Sequence, residues 1–339
     1  MLSETASIDV VDAQIIRCLQ LSPRIPFRTV ADILALSEQT VARRYRRLVG
    51  GGIVRVTVVL RPTAFGQTNW TVRTKCRPSG AESLAQALAR RDDVSWVTLA
   101  AGGAEVLWVL RARSQESRDE LLMHRLPRSA PVLDISAAML LHRYVGVGTS
   151  PADDWAGLAD LLDAQQAAAA TATMALRPCA EDRRFEFRPG DTAMLDVLKA
   201  DARASYATLA DAAGTTEARA ARRLRTLVED GAAYLDVDIA LAAIGMHASA
   251  TLWLTVPPSR LHAAGTALAS APEVGFAGAV TGPQNLMASV VCRDVEHLYR
   301  MVTETVGAIE GVQSLAISPV SRQLKQADAL VDGDRLAVS

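Results

Sequence analysis

A duplication constrains this chain more than any other feature of it. Residues 12–52 align without a gap on residues 191–231, at an offset of 179, with 14 identical pairs in 41 positions. Chance in an alanine-rich chain gives about three or four such pairs. The identities include Asp12/Asp191, Leu19/Leu198, Arg24/Arg203, Ala31/Ala210, Asp32/Asp211, Arg43/Arg222, Arg44/Arg223, Leu48/Leu227 and Gly52/Gly231. Beyond Gly66/Gly245 the offset becomes 180, and the register continues through Val94/Val274, Trp96/Phe276, Gly102/Gly282, Leu110/Val290 and Val132/Val312. Any fold must therefore be one unit built twice.

The 339 residues are 50% hydrophobic, enough for several well-buried cores. Formal net charge is −1, so contact with nucleic acid would have to come from local clusters of arginine. The start lacks a basic segment followed by an apolar core, and no run of 18 apolar residues occurs, so a cytoplasmic protein with no membrane contact is expected. Cys18, Cys76, Cys179 and Cys292 form no C-x-x-C pair, and His124, His142, His247, His262 and His297 show no ligand spacing. No metal, cofactor or catalytic cluster is expected, although distant histidines can still meet in space.

Within the first copy, Ile15, Ile16 and Leu19 mark one helix, and Val30, Ala31, Ile33 and Leu34 a second. A turn follows at Ala35 and Leu36, matched by Gly214 and Thr215. Ser37 and its counterpart Thr216 stand where an N-cap stands, without the Glu or Gln that completes a capping box. In the third helix Val41, Tyr45 and Leu48 recur at i, i+4 and i+7, which turns Gln39, Thr40, Arg43, Arg46 and Arg47 outward. The second copy places Ala220, Leu224 and Leu227 inward, with Ala218, Arg219, Arg222, Arg225 and Thr226 outward. Residues 37–49 carry four Arg and one Glu, net +3, and residues 216–229 four Arg and two Glu, net +2. Two short helices, a tight turn and a third helix with a basic outer face suit major-groove docking. The candidate DNA contacts are Ser37, Gln39, Thr40, Arg43, Arg44, Arg46 and Arg47, and in the second copy Thr216, Arg219, Arg222, Arg223 and Arg225.

A β-branched strand follows at residues 53–60, and each copy then reads strand, helix, strand, strand, helix, strand, the βαββαβ order of a ferredoxin-like domain. The fold class is α+β, a tandem duplication of a winged-helix-like helix-turn-helix domain plus a ferredoxin-like domain. The expected domains are helix-turn-helix at 1–62 and 187–241, ferredoxin-like at 66–147 and 245–326, a linker with one helix at 148–186, and a frayed tail at 327–339. The runs at 106–110 (VLWVL) and 286–291 (LMASVV) want cover on both faces. Two helices cover one face of each sheet, so the other face must meet a second sheet, from the sister copy or another chain. Trp70, Trp108 and Trp253 are read as core or interface residues.

The pattern Asp12, Arg24, Leu34, Ser37-x-x-Thr40-Val41-x-x-Arg44-x-x-x-Leu48-x-x-x-Gly52-Ile53, then Gly66 and βαββαβ, resembles the leucine-responsive and asparagine-regulator (Lrp/AsnC) family of prokaryotic transcription regulators. The second half, in Leu252-Trp253-Leu254-Thr255-Val256-Pro257 and Thr281-Gly282-Pro283-Gln284-Asn285-Leu286, resembles the double-length actinobacterial members. The resemblance implies sequence-specific binding of double-stranded DNA, assembly through ferredoxin-like (RAM-type) domains into homo-oligomers or by pairing of the two halves, and an amino-acid effector. It places that effector at the loop before the third strand of each domain: Gly102, Gly103 and Glu105 in the first copy, Gly282, Gln284 and Asn285 in the second. Glu105 supplies the acidic partner for a ligand ammonium, whereas Asn285 does not. Siroheme decarboxylases resemble the same two-domain architecture, so an enzyme and a plain metabolite-binding module stand as the alternatives.

Overall fold

The computed structural model describes residues 8–112, 114–146, 155–173, 185–327 and 329–337. The chain forms two compact units, and each unit collects the same domain from both copies. One holds residues 1–66, 147–244 and 334–339; the other holds 67–146 and 245–333.

The first unit contains α1 (Val10–Leu21), α2 (Phe27–Leu34), α3 (Glu38–Gly50) and strand β1 (Val54–Leu60) from the first copy. Helix α6 (Ala164–Ala172) comes from the linker, followed by α7 (Asp191–Ala200), α8 (Tyr206–Ala213), α9 (Glu217–Glu229) and β6 (Ala233–Ile239). Of the predicted apolar positions Ile15, Ile16, Leu19, Val30, Ala31, Val41 and Leu48 are buried in the first trihelical core, with Ile33, Leu34 and Tyr45 half-buried; Ala220, Leu224 and Leu227 are buried in the second, together with Met194, Leu195, Leu198 and Leu209. Helix α2 stops at Ala35 and α8 at Gly214, both left-handed, with φ of 52° and 60°. Glycine takes that conformation without the Cβ penalty that alanine meets.

The two helix-turn-helix domains are joined to each other. Strands β1 and β6 pair antiparallel from Val54↔Ile239 to Leu60↔Ala233, and Thr57 lies opposite Asp236, its own equivalent at the offset of 179. An approximate two-fold axis therefore passes through this ribbon. Two arginines lock it reciprocally. Arg24 donates to the carbonyls of Ala202 and Ala204 (2.8 Å to the latter), and Arg203 donates to those of Pro23 at 2.7 Å and Ile25 at 2.8 Å. Arg203 also lies over the Phe27 and Tyr45 rings at 4.5 and 5.3 Å, and Arg24 over Tyr206 at 4.9 Å. The linker helix bolts to the first domain, where the Gln166 amide donates to the Ile33 carbonyl and Trp155, Leu158 and Leu162 are buried.

The second unit contains β2 (Thr68–Cys76), α4 (Pro78–Ala89), β3 (Val94–Ala100), β4 (Glu105–Ala112), α5 (Gln115–Asp119, continuing as a π-helical turn Glu120–Arg125) and β5 (Val132–Val145). The second copy repeats this as β7 (Ala248–Thr255), α10 (Pro258–Ala269), β8 (Val274–Val280), β9 (Leu286–Cys292), α11 (Val295–Arg300, with its own π turn Met301–Val306) and β10 (Ser314–Gln326). Both βαββαβ orders are as the sequence predicts. The last strand of each copy is long and serves two sheets. Residues 132–139 of β5 pair with β2, and residues 140–145 pair with β8 of the other copy. Likewise β10 pairs first with β7 and then, from Val320, with β3. Hydrogen bonding therefore runs around a ring, β10-β3-β4-β2-β5-β8-β9-β7 and back to β10.

This exchange answers where the second sheet comes from: it is the sister copy, within the same chain. Ala100, Leu107, Trp253, Val280 and Met287 form a buried cluster, with Ala138, Leu140, Phe276 and Ala316 packed against it. Helices cover the outer faces through two further cores, and each core takes a residue from the other copy's long strand, Leu324 in one and Val145 in the other.

The tail departs from the frayed segment expected at 327–339. Strand β11 (Ala329–Asp332) pairs with the end of β10, and β12 (Arg335–Leu336) follows. Leu336 is buried and donates its N–H to the Gly52 carbonyl at 2.8 Å. Gly52 sits at φ 65°, and a Cβ there would stand 2.5 Å from the Leu336 carbonyl oxygen, which accounts for glycine at this point.

Candidate nucleic-acid interface and effector loops

Helices α3 and α9 start as the sequence predicts. The Thr40 N–H donates to Ser37 Oγ at 3.1 Å and the Arg219 N–H to Thr216 Oγ1 at 3.4 Å, satisfying an N–H that the first turn leaves without a helical partner. With Val41 and Leu48, or Ala220, Leu224 and Leu227, buried beneath, the opposite face is open. Ser37, Gln39, Arg43, Arg46 and Arg47 are exposed and Thr40 half-buried; in the second copy Thr216, Arg219, Arg222 and Arg225 are exposed. Each helix thus presents a row of guanidinium groups, each able to hold a phosphate or a guanine edge with two parallel hydrogen bonds.

Arg44 and Arg223, expected among the DNA contacts, are engaged within their own domains. Arg44 donates to Asp9 at 2.7 Å and Asp12 at 2.8 Å, and Arg223 grips both oxygens of Asp191, at 2.8 Å from Nε. Asp12 and Asp191 are buried at the start of the first helix of each domain, so these arginines neutralise interior carboxylates and tie the first helix to the third. The Arg44 hydrogen bond holds the Asp9 carboxyl below its usual range. Burial pushes the Asp191 carboxyl up, but the Arg223 guanidinium and the Arg188 N–H outweigh it and hold it low. Arg47 is shared: it also bonds Asp12, while most of its side chain stays exposed.

The two candidate effector loops are internally engaged. Gly102 and Gly103 are left-handed, with open space where a Cβ would go, and the Gly102 N–H donates to Ser321 Oγ at 3.1 Å. Glu105, expected at the effector loop, is engaged within the fold. It is 7% exposed, accepts from Arg73 Nε at 3.0 Å and from Ser318 Oγ at 2.8 Å, and so already has a cationic partner in place of a ligand ammonium. Arg73 lies over Trp253 at 5.6 Å, which makes the cluster a polar joint between the two copies. In the second loop Gly282 is open and Gln284 half-buried. Asn285 clamps the backbone of Val256, accepting its N–H at 2.9 Å and donating to its carbonyl at 2.7 Å. Both residues therefore shape their loops from behind.

Trp108 is buried and donates to Thr74 Oγ1 at 3.0 Å, Trp253 lies in the cluster between the sheets, and both are interior residues as expected. Trp70 is half-buried and lines a cleft of about 580 Å3 with Arg118, Met123, Val132 and Asp134, the Arg118 guanidinium 5.1 Å above its ring. Cys18, Cys76 and Cys292 are buried free thiols, and burial raises Cys18 and Cys292 to about 11; Cys179 lies outside the described residues. Among the described residues no group of three or more His, Cys, Asp or Glu converges, and no helix is long and apolar enough to cross a membrane.

Comparison with known proteins agrees with this architecture. The AsnC-type helix-turn-helix domain matches residues 8–49 and again 190–228, and the Lrp/AsnC ligand binding domain matches residues 249–330. An uncharacterized HTH-type transcriptional regulator of Pyrococcus abyssi (strain GE5 / Orsay) is 27% identical over 145 residues, which is 41% of this chain and 89% of that protein. The HTH-type transcriptional regulator LrpA of the same organism is 25% identical over 138 residues, 40% of this chain and 98% of that protein. Such relatives have the length of one copy. Over almost the whole chain, the siroheme decarboxylase NirDL superposes with a TM-score of 0.61 at 15% identity, covering 97% of this chain and 95% of that one. At that identity the likeness is one of fold. Two AsnC-type helix-turn-helix segments and an Lrp/AsnC ligand-binding domain thus lie in one polypeptide, a double-length arrangement similar to that of Lrp/AsnC-type transcription regulators.

Proposed function

We propose that the chain is a sequence-specific DNA-binding regulator, not a catalyst, that reads an asymmetric site with two unequal recognition helices and responds to a small effector of amino-acid size. The observation that carries this reading is the pair of exposed arginine faces, Gln39, Thr40, Arg43 and Arg46 on α3 and Arg219, Arg222 and Arg225 on α9, presented by two domains clasped together in one chain. A symmetric dimer offers equal helices to a palindrome. Here Thr40 is replaced by Arg219 and Arg47 by Thr226, so the two half-sites differ. The effector meets the loop backbones at Gly102, Gly103 and Gly282 and the Gln284 side chain, with Glu105 and Asn285 holding the loops in shape. Whether chains associate further is read from light scattering.

The test is binding to the DNA flanking the protein's own gene. If each helix holds two or three phosphates, log K falls against log salt with a slope of about −4 to −5. Arg43→Ala and Arg222→Ala each weaken binding, by about 1 to 3 kcal/mol where the arginine reads a guanine. Undetectable or salt-independent binding sinks the proposal, and tightest binding to perfect palindromes sinks its asymmetric part. The fold shared with a siroheme decarboxylase motivates a second reading, an enzyme acting on a tetrapyrrole. Tetrapyrrole absorbance in the purified protein, with no retardation of promoter DNA, would favour it.

A further inference from the structure

The two copies are bridged at equivalent places by different chemistry. Where α4 of the first copy meets β10 of the second, Glu82 accepts from Arg322 at 2.6 Å. The equivalent positions at the offset of 180 are His262 on α10 and His142 on β5. The ion pair is thus replaced by two imidazoles. Both are exposed, with ring centroids 5.9 Å apart. Tyr144 fixes their setting: its ring is 4.7 Å from His142 and 5.7 Å from His262, and its hydroxyl donates to the Leu261 carbonyl at 3.2 Å. Gly265 makes room for that ring, since a Cβ there would stand 2.2 Å from it.

We propose that His142 and His262 form a binding site for a borderline divalent transition ion such as Zn2+ or Ni2+, which bridges strand β5 of the first copy to helix α10 of the second. Imidazole is a favoured ligand of these ions. With metal–nitrogen bonds of about 2.0 to 2.1 Å, two imidazoles on one ion place their ring centroids about 5 to 6.5 Å apart, a range that holds the observed separation. Water fills the remaining coordination positions, because both side chains face solvent. The ion takes over the task that the Glu82–Arg322 pair performs at the equivalent joint, and locks the β5–β8 crossover.

The test uses the full chain, stripped by a chelator and titrated calorimetrically with ZnCl2 and then NiCl2, with hydrogen exchange of the β5–β8 amides measured alongside. One ion binds per chain, His142→Ala and His262→Ala each weaken it at least about tenfold, and Glu82→Ala/Arg322→Ala leaves it unchanged. Bound metal slows exchange at Gly278 and Ala279. Because both histidines are exposed, the variants fold, which circular dichroism of the metal-free proteins checks. No saturable binding overturns the proposal, and so does binding that survives both histidine variants, which would move the ion to other groups.

Discussion

Arg203→Ala tests the clasp between the two helix-turn-helix domains. The wild-type guanidinium makes two hydrogen bonds to backbone carbonyls, at 2.7 and 2.8 Å, and stacks on two aromatic rings. Burial lowers its pKa, so the cation sits where water gives it little support and the contacts count for more. A hydrogen bond from a charged donor contributes about 1.5 to 3 kcal/mol, less where water can replace it on truncation, and a cation–π contact about 0.5 to 2. Removing the side chain should therefore cost about 3 to 4 kcal/mol. Arg24→Ala loses the same pair of bonds but a single ring, Tyr206, and should cost about 1 kcal/mol less. Arg203→Lys should recover little, because an ammonium cannot fork to two carbonyls while lying flat on a ring. Urea unfolding followed by circular dichroism, with hydrogen exchange of the β1–β6 amides, measures both variants. Unfolding free energies within about 0.5 kcal/mol of wild type for both arginines, with unchanged exchange in the ribbon, would refute the reasoning.

Buried polar contacts make three further expectations. Arg223→Ala leaves Asp191 buried without its guanidinium and should cost about 3 kcal/mol or more, whereas Arg44→Ala costs less because Arg47 still reaches Asp12; thermal melts rank the two. Asp191 is held below its ordinary pKa, so its stabilising effect is complete above the unfolded value of about 3.9 and is lost as pH falls through the folded one; Asp191→Asn should flatten that part of the acid-unfolding curve. Asn285→Asp keeps an acceptor for the Val256 N–H but sets a carboxylate against its carbonyl, so it should destabilise the unit by about 1 to 3 kcal/mol, and an unchanged melting temperature would contradict the clamp.

Local rules carried the sequence reading a long way. The apolar triads of α3 and α9, the Ser37 and Thr216 caps, the turns at Ala35 and Gly214 and the βαββαβ order each follow from spacing and residue type, and each is where it was expected. What escaped was non-local. The far ends of β5 and β10 are held by pairing to strands of the other copy, which a period-of-two pattern cannot reveal. Arg44 and Arg223 looked like surface charge because a helical face says nothing of a carboxylate on another helix. A signal was nonetheless available, since Asp12/Asp191 recur together with Arg44/Arg223, as Arg24 does with Arg203. The Glu105 pairing is hidden from the sequence for the same reason: its partners Arg73 and Ser318 lie 32 and 213 residues away.

The strand exchange that joins the ferredoxin-like domains has a consequence for the protein at cellular concentrations. In a regulator made of separate subunits, paired strands come apart on dilution, and paralogues can swap partners. Here the partner strand is tethered, so its effective concentration is set by the polypeptide and is of the order of millimolar however few copies a cell contains. Subunit mixing cannot blend one half with that of a relative. A substitution in either half is inherited with the same neighbour every time, which is the condition under which two equal halves can drift apart in the way that Glu82–Arg322 and His262–His142 have done.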